Sequence, residues 1–81
     1  MNPNRITSLA DLPDGATGRI VEIAAGIGLR RRIRAIGVRP NKIFTKISGM
    51  PMRGPVVIQV GGVRVGLGHG MARKIMVEAT S

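Results

Sequence analysis

The sequence predicts a mainly β domain, in which about five short antiparallel strands form a sheet that curls and nearly closes, with one short α-helix after the first strand. Short runs of β-branched residues are separated by turn signals, and one stretch has helical periodicity instead. Near-closure is favoured because it leaves little strand edge exposed. A chain of 81 residues forms one small domain. We expect residues 8–78 to form it, with a loose segment at 1–7 and a tail at 79–81.

The N-terminal part of the domain is expected to hold one helical turn and the first strand. Ser8 followed by Asp11 resembles a capping box, which favours a short turn at this point. Residues 13–15 read Pro-Asp-Gly, which is typical of a tight turn. Residues 17–24 alternate as a strand, but both faces carry apolar residues, so the buried face stays open.

Residues 28–40 predict a short helix that ends sharply. Its apolar residues fall at i, i+4 and i+7 and share one face; they are Leu29, Ile33 and Ile36. Its basic residues fan across the opposite face; they are Arg30, Arg31 and Arg34. Gly37 stands where a left-handed cap is needed, and Pro40 blocks continuation. The stretch therefore packs on an apolar surface and presents positive charge outward.

The residues after the helix predict a loop and the remaining strands. Residues 41–48 predict a strand in which Ile43 and Ile47 are expected in the core. Phe44 lies on the opposite face, and because it is the only aromatic residue, we expect it to be partly buried. Residues 50–55 hold two prolines and a glycine and predict a loop.

Two further strands, residues 56–60 and 63–67, are joined by Gly61-Gly62, which favours a tight hairpin. A helical bend at 68–73 and a last strand at 74–78 complete the order. The expected core residues are Ile20, Leu29, Ile33, Ile36, Ile43, Ile47, Val56, Ile58, Val65, Leu67, Ile75 and Val77.

Charge is the main functional signal of the composition. The 13 basic and 4 acidic residues give a formal charge of +9, which is typical of proteins that contact nucleic acid, anionic lipid or an acidic protein surface. The simpler alternative is that the charge only keeps the protein soluble. No apolar run approaches the roughly 18 residues that a membrane span needs, and the N-terminus lacks an apolar signal core. We therefore expect a cytoplasmic protein.

The sequence offers little to catalysis, metal binding or cofactor binding. No cysteine is present, and His69 is the only histidine. No Ser or Thr has an evident general base beside it, and a stable metal site needs three or four ligands. The glycine-rich stretches lack a Walker lysine. The sequence predicts no catalytic residue, no metal site and no cofactor, so the protein is not expected to be an enzyme.

A partner-binding surface is the functional prediction that remains. It would combine the arginines of the helix with residues just beyond it and on the proline-containing loop; its members are Arg30, Arg31, Arg34, Arg39, Met50, Met52 and Arg53. Methionines are adaptable contact residues, and rim charges speed association. RNA or a ribonucleoprotein is the alternative partner, although single-strand binders usually supply several aromatic rings for base stacking.

The order and spacing of turn glycines and core aliphatics resemble the FeoA family over nearly the whole chain. The residues that carry the resemblance are Leu9, Leu12-Pro13, Gly15, Gly18, Ile20, Leu29, Ile33, Ile36-Gly37-Val38, Pro40, Gly54-Pro55, Gly61-Gly62-Val63, Val65, Leu67, Ala72, Ile75 and Val77. Asn41 stands where the family often has glycine, and asparagine also tolerates the left-handed conformation.

This resemblance implies an SH3-like barrel with one inserted helix. It also implies an accessory role in bacterial ferrous iron uptake, with docking on the cytoplasmic part of the FeoB membrane transporter at the inner face of the cell membrane. The resemblance supplies no catalytic residues, and the oligomeric state stays open.

Overall fold

The computed structural model describes residues 5–49 and 54–80, with the side chains of 48 and 49 left out. Its strands are β1 (Ile6–Ser8), β2 (Thr17–Ile23), β3 (Ile43–Gly49), β4 (Val56–Val60), β5 (Val63–Leu67) and β6 (Ile75–Ala79). Its helices are a 3₁₀ turn (Leu9–Asp11), α1 (Ile27–Ala35) and α2 (His69–Ala72). The predicted loop residues 50–53 lie outside the described part.

The strands form one antiparallel sheet in the order β1-β6-β2-β3-β4-β5. The predicted class, a mainly β antiparallel fold with a short helix between the first long strand and the next, is confirmed. Two details differ from the prediction. The described sheet has six strands, and it is open, with β1 and β5 at its edges, instead of closing into a barrel. β1 was missed because three residues that run directly into a 3₁₀ turn show no alternation.

The buried face of β2 is settled by a bulge. Ile20 pairs with Val77 and Glu22 with Met76, so Val21 is the extra residue. A bulge shifts the alternation by one residue, and both Ile20 and Ile23 are therefore buried while Glu22 points outward. This explains why the sequence carries apolar residues in both registers.

The predicted core face of β3 is wrong. Ile43 is 61% exposed, whereas Phe44 is only 1% exposed. Phe44 pairs with Val60 of β4, which is buried on the same face, and with Gly18 of β2. A Cβ on Gly18 would lie 3.2 Å from the Phe44 ring, so the missing side chain makes room for the ring.

Lys46 explains why the buried face of β3 was hard to predict. It is 3% exposed, on the same face as Phe44. Its ammonium group donates to the carbonyl oxygens of Leu12 at 2.5 Å, Leu9 at 3.3 Å and Ala10 at 3.4 Å. A buried charge is tolerated when hydrogen bonds replace its water. The lysine thereby fixes the 3₁₀ turn against the sheet.

Helix α1 ends in a Schellman motif. The Gly37 N–H donates to the Arg34 carbonyl at 3.0 Å and the Val38 N–H to the Ile33 carbonyl at 3.3 Å, with Gly37 at φ +99°. Ile33 and Val38 are both fully buried. Ile36, predicted in the core, is 44% exposed because the chain turns before its position can face inward, and Val38 takes its place.

Several local predictions are confirmed. Ser8 caps the 3₁₀ turn by accepting from the Ala10 N–H at 3.2 Å. Gly61 and Gly62 both have positive φ and join β4 to β5 as a two-residue hairpin. Asn41 adopts the left-handed conformation at φ 74°.

Eight of the predicted core residues are buried, and they are Ile20, Ile33, Val56, Ile58, Val65, Leu67, Ile75 and Val77. Leu29 packs on this core while partly buried, and Ile47 is intermediate in exposure. The buried hydrophobic residues outside the predicted core list are Leu9, Leu12, Ala16, Ile23, Val38, Phe44, Val60 and Ala72.

Candidate functional site

The outer face of α1 is a strongly basic surface. Its exposed arginines are Arg30, Arg31, Arg32 and Arg34. The helix has no acidic residue in its first turn, and only Ile33 is fully buried against the core. Like charges at i and i+4 destabilise a helix, so the pair Arg30 and Arg34 does not contribute to the stability of α1. The arrangement leaves a dense positive surface available to a partner.

Arg30 and Arg34 share a cleft with the end of β2. The cleft has a volume of about 180 Å³ and is lined by Glu22, Ile23, Arg30, Arg34 and Pro40. In the part of the chain that the structure describes, neither guanidinium has a hydrogen-bond or ion-pair partner. Among the described residues, the ion pair is formed outside the cleft, between Arg19 and Glu78 at 3.1 Å.

The other predicted surface residues are placed as follows. Arg31 is exposed but does not line the cleft. Arg39 is exposed, and its Nε donates to the Arg34 carbonyl at 3.4 Å, which holds it at the C-terminal end of α1. Met50, Met52 and Arg53 lie outside the described residues.

Sequence reasoning missed Glu22, Ile23 and Pro40 as neighbours of the arginines. The bulge in β2 turns Glu22 outward and Ile23 inward, and both residues line the cleft beside α1. The sequence identifies Pro40 only as a helix stop, and no periodic pattern connects it with β2. The cleft could have been predicted from the sequence only if the bulge in β2 had been predicted first.

Other kinds of site find little support in the described residues. Among residues 5–49 and 54–80, no group of three or more His, Cys, Asp or Glu side chains is placed to hold a metal ion. His69 begins α2 and is partly buried. None of the helices in these ranges has the length and apolar character needed to cross a bilayer.

The fold places the chain in the class of small SH3-like domains. A zinc complex of FeoA from Stenotrophomonas maltophilia, described as a prokaryotic SH3 domain protein, matches 89% of each chain with a TM-score of 0.71 and 24% identity. A manganese-dependent transcriptional repressor matches 98% of this chain but 44% of its own, with a TM-score of 0.86 and 22% identity. These likenesses define the fold.

Sequence comparison defines the family. Residues 7–79 match the FeoA domain, and the chain belongs to the FeoA family. An iron uptake regulatory protein, FeoA, whose crystal structure is known, shares 31% sequence identity with this chain. The two structures match with a TM-score of 0.83 over 93% of this chain and 97% of that one. A candidate Fe(2+) transport protein A of Methanocaldococcus jannaschii is 33% identical over 70 residues, which are 86% of this chain and 83% of the relative.

Proposed function

We propose that this protein is a cytoplasmic accessory module of ferrous iron uptake. It docks on the cytoplasmic part of a FeoB-type membrane transporter and modulates transport, without catalysis of its own. Membership of the FeoA family supports the role in iron transport. The observation that carries the docking surface is the set of exposed arginines on α1, whose side chains have no ion-pair or hydrogen-bond partner among the described residues.

The chemistry of α1 fits an acidic protein surface. Exposed guanidinium groups raise the association rate with an acidic partner through long-range attraction. They also form two-pronged hydrogen bonds with carboxylates once contact is made. Arg39 extends this surface past the helix end, and the Met50, Met52 and Arg53 loop is proposed to add contact area.

RNA binding is the weaker alternative. The formal charge of +9 favours phosphate contact. Single-strand recognition relies on exposed aromatic rings for base stacking, and Phe44, the only aromatic residue, is buried. Phosphate attraction alone would give binding without base stacking.

The test compares two triple variants that change the net charge equally. The first, R30E/R31E/R34E, reverses the α1 surface, and the control, R64E/R73E/K74E, reverses exposed cations elsewhere. Association with the cytoplasmic domain of the transporter is measured at low and high salt. We expect the α1 variant to associate at least about tenfold more slowly at low salt, and the control much less so, because steering depends on local charge.

The salt dependence separates the outcomes. At high salt the difference between the two variants should shrink, because screening removes the long-range attraction. An unchanged rate for the α1 variant, or equal slowing by the control, would contradict docking through α1. Tight, salt-sensitive binding of wild-type protein to unrelated RNA, with none to the transporter domain, would favour the alternative.

A further inference from the structure

The cleft between α1 and β2 combines an apolar lining with a charged rim. Ile23 is buried, and together with Pro40 it supplies apolar lining. Arg30 and Arg34 lie one helical turn apart and are exposed, as is Glu22 of β2. The cleft is thus shaped to receive a group with an apolar stem and a charged end.

The charges of the cleft favour a single negative charge. Two guanidinium groups and one carboxylate leave a net charge of +1. Among the described residues, Glu22 forms no ion pair with either arginine; the ion pair found there joins Arg19 to Glu78. The guanidinium donors are therefore free for an incoming acceptor, and one carboxylate would balance the site. A phosphate group carries about −1.5 to −2 at neutral pH and fits this balance less well.

The size of the cleft favours one side chain over a small-molecule ligand. Its volume is about 180 Å³. Small-molecule sites usually measure roughly 300–1,000 Å³.

We infer that this cleft is a carboxylate pocket, which receives one acidic residue of the partner protein. The carboxylate, from an Asp or Glu side chain or from a chain end, binds between Arg30 and Arg34, and the aliphatic part of the same residue packs on Ile23. This inference rests on the proposed function and names the group that α1 recognises. Arginine suits this role because its planar fork matches a carboxylate.

Glu22 gives the pocket an opposing charge, which sets its affinity. A carboxylate at the rim repels an incoming carboxylate and weakens the attraction of the arginines. Glu22→Gln removes this repulsion and nearly keeps the shape, so it should tighten binding. A loss-of-charge variant that gains affinity is not expected from a surface that only keeps the protein soluble.

The first experiment tests the pocket without the transporter. The isotope-labelled protein is titrated with N-acetylglutamate α-amide, which carries one carboxylate, and with inorganic phosphate at matched ionic strength. We expect amide shifts centred on Ile23, Arg30 and Arg34. They should be lost in R30Q/R34Q and kept in R31Q/R32Q, which removes the same charge from the rest of the helix. Equal responses of the two variants, or a larger response to phosphate, would overturn the inference.

The second experiment uses the cytoplasmic domain of the transporter. At physiological salt, R30Q/R34Q should raise Kd by about tenfold, whereas R31Q/R32Q should mainly slow association at low salt. Glu22→Gln should lower Kd by about threefold.

The two experiments fail differently. If the transporter domain does not bind while the carboxylate probe does, the proposed function fails and the pocket stands. If the domain binds and both double variants weaken it equally, the pocket is overturned and docking through α1 stands.

Discussion

Lys46→Met should destabilise the domain, because Lys46 is the buried link between the sheet and the 3₁₀ turn. Methionine has a similar length and fills the same space without the charge. The substitution removes the donor for three backbone carbonyls, those of Leu9, Ala10 and Leu12. The turn would then be held by apolar packing alone.

The size of the stability loss depends on which hydrogen bonds each carbonyl oxygen still has after the substitution. The Leu9 oxygen still accepts a hydrogen bond from the Leu12 N–H at 3.3 Å, and the partly buried Ala10 oxygen can accept one from water. The buried Leu12 oxygen is left without a described partner. An unsatisfied buried acceptor costs about 1–3 kcal/mol. Removing a buried charge returns part of this cost, so we expect a net loss at the lower end of this range, about 1 kcal/mol.

Urea unfolding of Lys46→Met measures this loss, with Lys42→Met as the matched control. Lys42 is exposed, so its substitution should change the free energy of unfolding by less than about 0.5 kcal/mol. The loss should appear as a lower midpoint with an unchanged slope. If Lys46→Met were as stable as the control, the three carbonyl contacts would contribute nothing net to the free energy of unfolding, contrary to this prediction.

Three further predictions concern the core, the glycines and metal binding. Ile33→Ala, at a fully buried position, should cost about 2–5 kcal/mol, and an unchanged melting temperature would contradict the inner face of α1. Gly18→Ala should destabilise by about 1–3 kcal/mol or more, because its Cβ would lie 2.6 Å from the Glu78 carbonyl oxygen. Gly28→Ala, in open space on α1, should instead stabilise by about 0.5–1 kcal/mol. In thermal melts, a stabilised Gly18→Ala or a destabilised Gly28→Ala would contradict the prediction for that glycine. Anaerobic Fe²⁺ titration should show no site tighter than about micromolar, and a tight site lost in His69→Ala would overturn this.

The helix and the hairpin could be predicted because local sequence determines them. Gly61-Gly62 permits the positive φ values that the turn needs, and the cap at Gly37 ends α1 whatever surrounds it. The helical period, however, does not show where the last turn stops facing inward. For that reason the periodicity predicts Ile36 in the core and gives no indication that Val38 is buried instead.

The buried face of β3 depends on partners that are distant in sequence. Phe44 fits inside because Gly18 leaves space, and Lys46 is buried because three carbonyls surround its ammonium group. A lysine in an alternating strand otherwise indicates the solvent face.

The candidate site was predictable only in part. The exposure of Arg30, Arg31 and Arg34 follows from helical spacing, whereas the cleft requires a bulge in β2 that places Glu22 and Ile23 beside them.

Docking through α1 can be tested by site-specific crosslinking to the transporter. The chain has no cysteine, so single-cysteine variants can be labelled cleanly with a benzophenone maleimide. Arg31→Cys places the probe on the outer face of α1 and leaves Arg30 and Arg34 intact, while Gln59→Cys places it at the exposed position of β4 as a control. If the protein docks through α1, position 31 crosslinks to the transporter in membranes containing FeoB and position 59 does not. Equal crosslinking from both positions, or none from position 31, would contradict docking through α1.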